Sequence, residues 1–253
     1  MKSSNTLRSL SKMTWMEAKL FLREPASAFF TLVFPLIYLF MYGLISGNEP
    51  TPMYGGQRTI DVAIPSLTAV IIAMAGMMSN TMTMATYREK GILRRLQTTP
   101  VSPLIVLMAQ VIVIFAMTCL GMLLLIAAGK LVYHVNFEGN AFSLLLGFIL
   151  SSLSFFGIGF ILAGIMPTVR TAWVASMVLV YPMLLLSGAF FSVEVLPTAV
   201  QKVSNFIPLT YVVNLLRGLW YGEPWGNYLL EVGVLTGMLL LGVAISAKTF
   251  RWE

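Results

Sequence analysis

Six apolar stretches run along the chain, at residues 26–46, 60–87, 103–131, 141–166, 171–191 and 227–247, with polar or Pro/Gly-rich segments between them. A helix rises about 1.5 Å per residue and needs about 20 mostly apolar residues to cross a bilayer. Each stretch therefore predicts one membrane-spanning helix. The intervening segments include NEPTPMYGGQR, YREKGILRRLQTTPVSP, KLVYHVNFEGN and PTVR. Ahead of the first span the periodicity changes. At 100° per residue, Arg8, Lys12, Lys19 and Arg23 fall within an arc of about 60°, while Leu7, Leu10, Met13, Met16, Leu20, Phe21 and Leu22 fill much of the remainder. Such a helix lies along the inner leaflet, with Trp15 near the basic arc at headgroup level. Glu17 and Glu24 stand across from that arc and must reach water or a protein partner. Residues 1–25 thus form an interfacial helix and residues 26–253 a six-span transmembrane domain.

The segment between the fifth and sixth spans, SGAFFSVEVLPTAVQKVSNFIPLTYVVNLLRGLWYGEPW, is too apolar for an ordinary external loop. It is broken by Pro197, Pro208, Gly218 and Pro224. Non-helical backbone at membrane depth survives only where protein or a wet cavity satisfies its peptide groups. Two short helices dipping into the outer leaflet as a re-entrant hairpin are expected. Glu194, Arg217, Glu223 and Glu231 gather there, and Arg217 is expected to hold the hairpin by pairing with Glu194 or Glu231.

Composition confirms the solvent. The chain is 58% hydrophobic and 10% charged, with mean hydropathy +0.85, against roughly a quarter charged in soluble proteins. Its net charge of +6 would fit nucleic acid only if Lys and Arg shared a water-exposed face. They collect at span ends instead, so no nucleic-acid partner is expected. With the N-terminus inside, twelve Lys and Arg face the cytoplasm and four, Arg58, Lys130, Lys202 and Arg217, face outward. Cytoplasmic loops carry the excess of these residues, so both termini and the charged hinge at 87–103 face the cytoplasm. The first 25 residues lack a signal peptide's apolar core and cleavage site, so the N-terminus is expected to be retained. One cysteine, Cys119, and one histidine, His134, cannot assemble a thiolate or imidazole metal site within one chain.

The second span is unusually polar: Thr68, Ser79, Asn80, Thr81, Thr83 and Thr86 lie among Met74, Met77, Met78, Met82 and Met84. Asn80, Thr83 and Tyr87 share one helical face. A methionine-rich wall can repack around varied apolar ligands. The same residues also suit helix-to-helix hydrogen bonds and gap filling. On the fifth span Pro182 permits a bend, ahead of Leu184, Leu185, Leu186 and the Ser187-Gly188 break. No G-x-x-x-x-G-K-[ST] phosphate cradle occurs, so this chain is not expected to hydrolyse ATP. Carboxylate pairs or Ser/His sets for an intramembrane enzyme are missing, as are the charged rings of a passive channel.

An interfacial helix ending Arg23-Glu24-Pro25, a second span closing with YREKGILRRLQTTPVSP, and a later SGAFFSVEVLP with PLTYVVNLLRG together resemble the type-2 permease subunits of ABC transporters. The resemblance covers essentially the whole chain. Its most specific parts are the hinge from Glu89 to Pro100 and Ser187-Gly188 paired with Pro208-Leu209-Thr210-Tyr211. It implies the ABCG-like, type V exporter fold: an all-α membrane protein whose hinge is a coupling helix seated on a separate ATPase. Arg88, Glu89, Lys90, Gly91, Arg94 and Arg95 would make those contacts, helped by the interfacial helix. Two ATP-binding subunits holding ATP and Mg, and a second permease as homodimer or heterodimer, are the implied partners. A substrate cavity on the second and fifth spans would use Thr68, Asn80, Thr83, Met84 and Tyr87, with Leu184, Leu185 and Leu186 as its gate. The implied location is the inner or plasma membrane of a prokaryote. The implied cargo is a hydrophobic or amphiphilic molecule such as a drug, antibiotic or lipid. Lipid-linked saccharide or polysaccharide is the alternative.

Overall fold

The computed structural model describes residues 2–47, 49–50, 56–92, 95, 103–190 and 197–249. Helix α1 (Lys2–Arg23) ends where Pro25 disfavours helical geometry at Glu24. The chain resumes as α2 (Pro25–Ala28), a π-helical turn (Phe29–Val33) and α3 (Phe34–Ser46). The second apolar stretch comprises α4 (Thr59–Ala73), a π-helical segment (Met74–Ser79) and α5 (Asn80–Glu89). Then come α6 (Pro103–Tyr133), α7 (Ala141–Ile165) and α8 (Val169–Leu186). Two short helices, α9 (Thr198–Ser204) and α10 (Pro208–Trp220), precede a 3-10 turn (Trp225–Tyr228) and α11 (Leu229–Thr249). Helix and turn account for the regular structure among the described residues, apart from one isolated bridge between Pro50 and Arg58.

Five helical runs are long and apolar enough to cross a membrane: Thr59–Glu89, Ile105–Tyr133, Ala141–Ile165, Val169–Leu186 and Trp225–Ser246. The first predicted span appears as a shorter apolar helix, Phe29–Ile45. Local chemistry sets the boundaries. The Asn140 side chain accepts from Phe142 N–H (2.8 Å) and Ser143 N–H (3.3 Å), capping α7. Thr168 and Thr171 form a capping box at the start of α8. Helix α8 stops earlier than the apolar pattern does, because Gly188 adopts φ +82°, a left-handed conformation natural to glycine.

The second span runs through the middle of the molecule, and every residue from 59 to 81 is buried. Small residues let its neighbours approach closely. A Cβ built on Gly159 of α7 would stand 1.9 Å from the Gly76 carbonyl oxygen, which holds the π-helical segment against α7. Two hydrogen bonds stitch this contact and a third ties α8 to the same segment. Asn80 Nδ2 donates to the Phe156 carbonyl (3.1 Å), Thr81 Oγ1 to the Gly159 carbonyl (3.0 Å) and Ser176 Oγ of α8 to the Met77 carbonyl (2.8 Å). Helix α10 buries Leu209, Val212, Val213, Leu216 and Leu219 at helical spacing, against α4, α7 and α11. Arg217 braces it by donating to Ser66 Oγ (2.8 Å) and the Gly188 carbonyl (2.7 Å). Glu194 lies outside the described residues.

Candidate functional site at the C-terminal end of α5

Three consecutive residues end α5, and 100° steps send their side chains to three different neighbours. Tyr87 is buried, and its hydroxyl lies 2.6 and 2.7 Å from the two Glu17 carboxylate oxygens on α1. Arg88 turns to the C-terminus of α7: Nη1 donates to the Met166 (3.1 Å) and Gly164 (3.5 Å) carbonyls, and Nη2 to that of Ala163. Glu89 Oε2 accepts from the Val169 N–H (2.8 Å) at the start of α8. A helix leaves carbonyls unpaired at its C-terminus and N–H groups unpaired at its N-terminus. The cation therefore meets the negative end of α7 and the carboxylate meets the positive end of α8, as the helix dipoles favour. Gly91 then turns the chain at φ +63°, its N–H donating to the Arg88 carbonyl (2.9 Å).

Arg88 and Glu89 are thus engaged inside the chain, bridging the second span to the turn between α7 and α8. Lys90 and Arg95 are exposed and Gly91 half-buried. Arg94 and residues 96–102 lie outside the described residues, as does most of the expected coupling helix.

On α1 the four basic residues Arg8, Lys12, Lys19 and Arg23 are all exposed, and Lys19 Nζ sits 5.0 Å above the Trp15 ring. The opposite face carries Phe21 and Glu17 into the bundle, with Glu17 only 4% exposed. The partner this carboxylate needed is the Tyr87 hydroxyl. Burial pushes the Glu17 carboxyl above its usual range, and the hydrogen bond from Tyr87 partly opposes this.

The second-span residues expected to line a cavity are divided. Thr68, Asn80 and Met84 are enclosed by helices of their own chain, with Thr68 Oγ1 donating to the Ile64 carbonyl (2.9 Å). Thr83 and Tyr87 instead reach a cavity of about 430 Å³ between α1, the start of α2, α5 and α6. Of the three leucines on α8, Leu184 is buried, Leu186 half-buried and Leu185 exposed.

One residue central to this region drew no notice in the sequence. Gln110 of α6 is buried, and its Nε2 donates to Asn80 Oδ1 (2.9 Å) and the Asn80 carbonyl (3.4 Å). A lone amide in a stretch as apolar as LIVLMAQVIVIFAM was the available signal, since polar groups at that depth need partners.

Residues 8–221 match the family described as ABC-2 type transporter. Nodulation protein J of Rhizobium leguminosarum bv. viciae is 30% identical over 102 residues, 40% of this chain and 39% of that protein. The probable multidrug ABC transporter permease YbhS of Escherichia coli (strain K12) is 27% identical over 193 residues, 75% of this chain and 49% of that protein. YbhR of the same strain, likewise named a probable multidrug ABC transporter permease, is 22% identical over 157 residues, 62% and 43% of the two chains. The matched regions span half or less of the length of these relatives. The family match covers most of this chain, from α1 through α10, and the chain belongs to the ABC-2 type transporter family.

Proposed function

We propose that this chain is the membrane permease subunit of an ATP-driven exporter, with six spans and cytoplasmic termini. It pairs with a second permease copy and is powered by two separate ATP-binding subunits, which hold ATP and Mg. Its cargo is a hydrophobic or amphiphilic molecule such as a drug, antibiotic or lipid. Family membership supports the class. The observation that carries the mechanism is the three-way junction of Tyr87, Arg88 and Glu89, which ties one helix end to α1, α7 and α8.

An ATPase seated on the hinge through Lys90, Gly91, Arg94 and Arg95 displaces the end of α5. Arg88 and Glu89 carry that displacement to α7 and α8 rather than gripping the ATPase themselves. Because α8 ends in Leu184, Leu185 and Leu186, movement at its cytoplasmic end reaches the leucine gate along one rigid helix. Modest displacement suffices to open or close a dry constriction. The path runs between two copies along their second and fifth spans, and Leu185 offers the exposed face for closure.

Reconstitution with the ATP-binding partner tests this proposal. Reversing Lys90 and Arg95 to glutamate is expected to abolish stimulated ATP turnover and co-purification. Arg88→Met with Glu89→Gln is expected to leave co-purification intact while separating ATP turnover from export. Loss of co-purification in the second pair, or undiminished export in either, overturns the proposed division of labour.

A further inference from the structure

The cavity between α1, α5 and α6 has a built polar interior that the export path does not use. Its apolar wall is Leu20, Phe21, Val113 and Ile114, and its mouth carries Arg23, Glu24 and Lys90. Two buried polar residues belong to its lining: Glu17, whose carboxylate is held by Tyr87, and Gln110. The Gln110 amide orientation follows from its network. The Phe156 carbonyl can only accept, so Asn80 must present Nδ2 to it and Oδ1 to Gln110. Gln110 then presents Nε2 to Asn80, which leaves Oε1 unused by that pair. That oxygen is buried with no hydrogen-bond partner among the described residues. Most buried acceptors in folded proteins have a donor, so this one is open to a partner from outside the chain. The volume, about 430 Å³, falls in the range of small-molecule sites, roughly 300–1,000 Å³.

Gln110 lies seven residues past Pro103 in α6, about 10 Å along the helix axis. Glu17 lies on the interfacial helix. The cavity therefore stands at the boundary of the inner leaflet, with a carboxylate near the headgroup level, an amide oxygen deeper, and aliphatic and aromatic walls beside both. A donor-rich polar end carrying an apolar tail matches each of these surfaces. A primary ammonium supplies three N–H donors and the charge complementary to Glu17.

We infer that this cavity is a binding site, separate from the path between copies, for an amphiphile with a primary ammonium head. Glu17 is its counter-ion and Gln110 Oε1 a second acceptor. The ammonium can belong to a free long-chain amine or to an ethanolamine phospholipid of the inner leaflet. In the lipid, the phosphate would sit by Arg23 and Lys90 at the mouth. The site belongs to the single protomer and binds without ATP or a partner ATPase, so its failure and that of the proposed export function are distinguishable.

Calorimetric titration of the purified full chain in phosphatidylcholine nanodiscs tests the site, with octylamine as probe and empty nanodiscs subtracted. Saturable binding is expected for octylamine, with none for octanoate. Glu17→Gln is expected to weaken it tenfold or more and Gln110→Leu about fivefold. Asn140→Ala, which removes a helix cap away from this cavity, is expected to leave binding unchanged, so loss of binding through general destabilisation is separable from loss of the acceptors. Replacing half the lipid with phosphatidylethanolamine distinguishes the sources. A threefold or larger fall in apparent octylamine affinity in the wild type, absent in Glu17→Gln, identifies the lipid, whereas no change identifies a free amine. Equal octylamine affinity in wild type and Glu17→Gln, octanoate binding as strong as octylamine, or no saturable heat at all would mean a merely hydrated cavity and overturn the inference.

Discussion

Removing the Tyr87 hydroxyl should loosen α1 from the bundle by an amount the structure bounds. Tyr87 donates to a carboxylate that is 4% exposed, at 2.6 and 2.7 Å from its two oxygens. Hydrogen bonds to charged groups contribute about 1.5–3 kcal/mol, and a buried partner left unsatisfied adds its own desolvation cost. Tyr87→Phe alone is therefore expected to cost about 2–3 kcal/mol, whereas Glu17→Gln keeps an acceptor and costs less, about 1 kcal/mol. The double variant should cost less than the sum, with a coupling of about 1.5–2 kcal/mol. Hydrogen exchange of α1 amides in the purified protein reads this locally, as an opening equilibrium shifted about 30- to 150-fold by Tyr87→Phe. The pH dependence supplies an independent check. The folded Glu17 carboxyl binds its proton more tightly than an exposed one does, because burial outweighs the Tyr87 hydrogen bond. Docking of α1 is therefore strongest below the ordinary carboxylate value of 4.5, and weakens as pH rises from there through the raised folded value. Tyr87→Phe removes the opposing influence and should extend that window to higher pH. A coupling under 0.5 kcal/mol, or docking that strengthens as pH rises over this range, would refute the assigned contact.

Further perturbations follow from the same geometry. Gly159→Ala places a methyl group against the Gly76 carbonyl and should cost about 3 kcal/mol, read as loss of purified protein in thermal unfolding; retained stability would mean that α7 and the π-helical segment are not pressed together. Arg88→Met removes charge-assisted bonds to the α7 carbonyls from a half-buried site and should cost about 2 kcal/mol, with faster exchange of amides in the α7–α8 turn as its signature. Asn140→Ala, at the opposite end of α7, removes only a helix cap and should cost about 1 kcal/mol without altering ATP turnover, which makes it a control for stability loss alone.

Apolar periodicity made five long apolar helices legible, because a helix in lipid needs a continuous apolar surface, whereas the first apolar stretch forms a shorter helix; the amphipathic arc of α1 was equally plain. The roles of buried polar residues were harder to read, because a hydrogen-bond partner distant in sequence leaves no local trace. Asn80 meets Phe156 and Gln110, and nothing in the residues around Asn80 points to either. The same holds for the hinge charges. Positive-inside placement and partner docking both explain an arginine at position 88, and only the third dimension reveals the end of α7 beside it. Glu17 is instructive in the other direction. A carboxylate on the apolar side of a basic amphipathic helix had to find a partner, and the phase that made it anomalous also aimed it at Tyr87.

The junction at residues 87–89 also constrains how motion can travel. Each of its side chains holds main-chain or carboxylate groups on a different helix, so α5 cannot slide or rotate at this end without breaking or dragging at least one contact. Glu89 is exposed and its single bond to Val169 N–H is weak in water, on the order of 1 kcal/mol or less. The bonds of Arg88 are more numerous and half-buried, and that of Tyr87 is enclosed. A force applied through the hinge should release Glu89 first and carry α7 with α5 through Arg88. Helix α8 would then follow through the short turn at Met166–Thr168. The exposed carboxylate is accordingly the reversible contact and the guanidinium the tether, an ordering that comes from burial and charge alone.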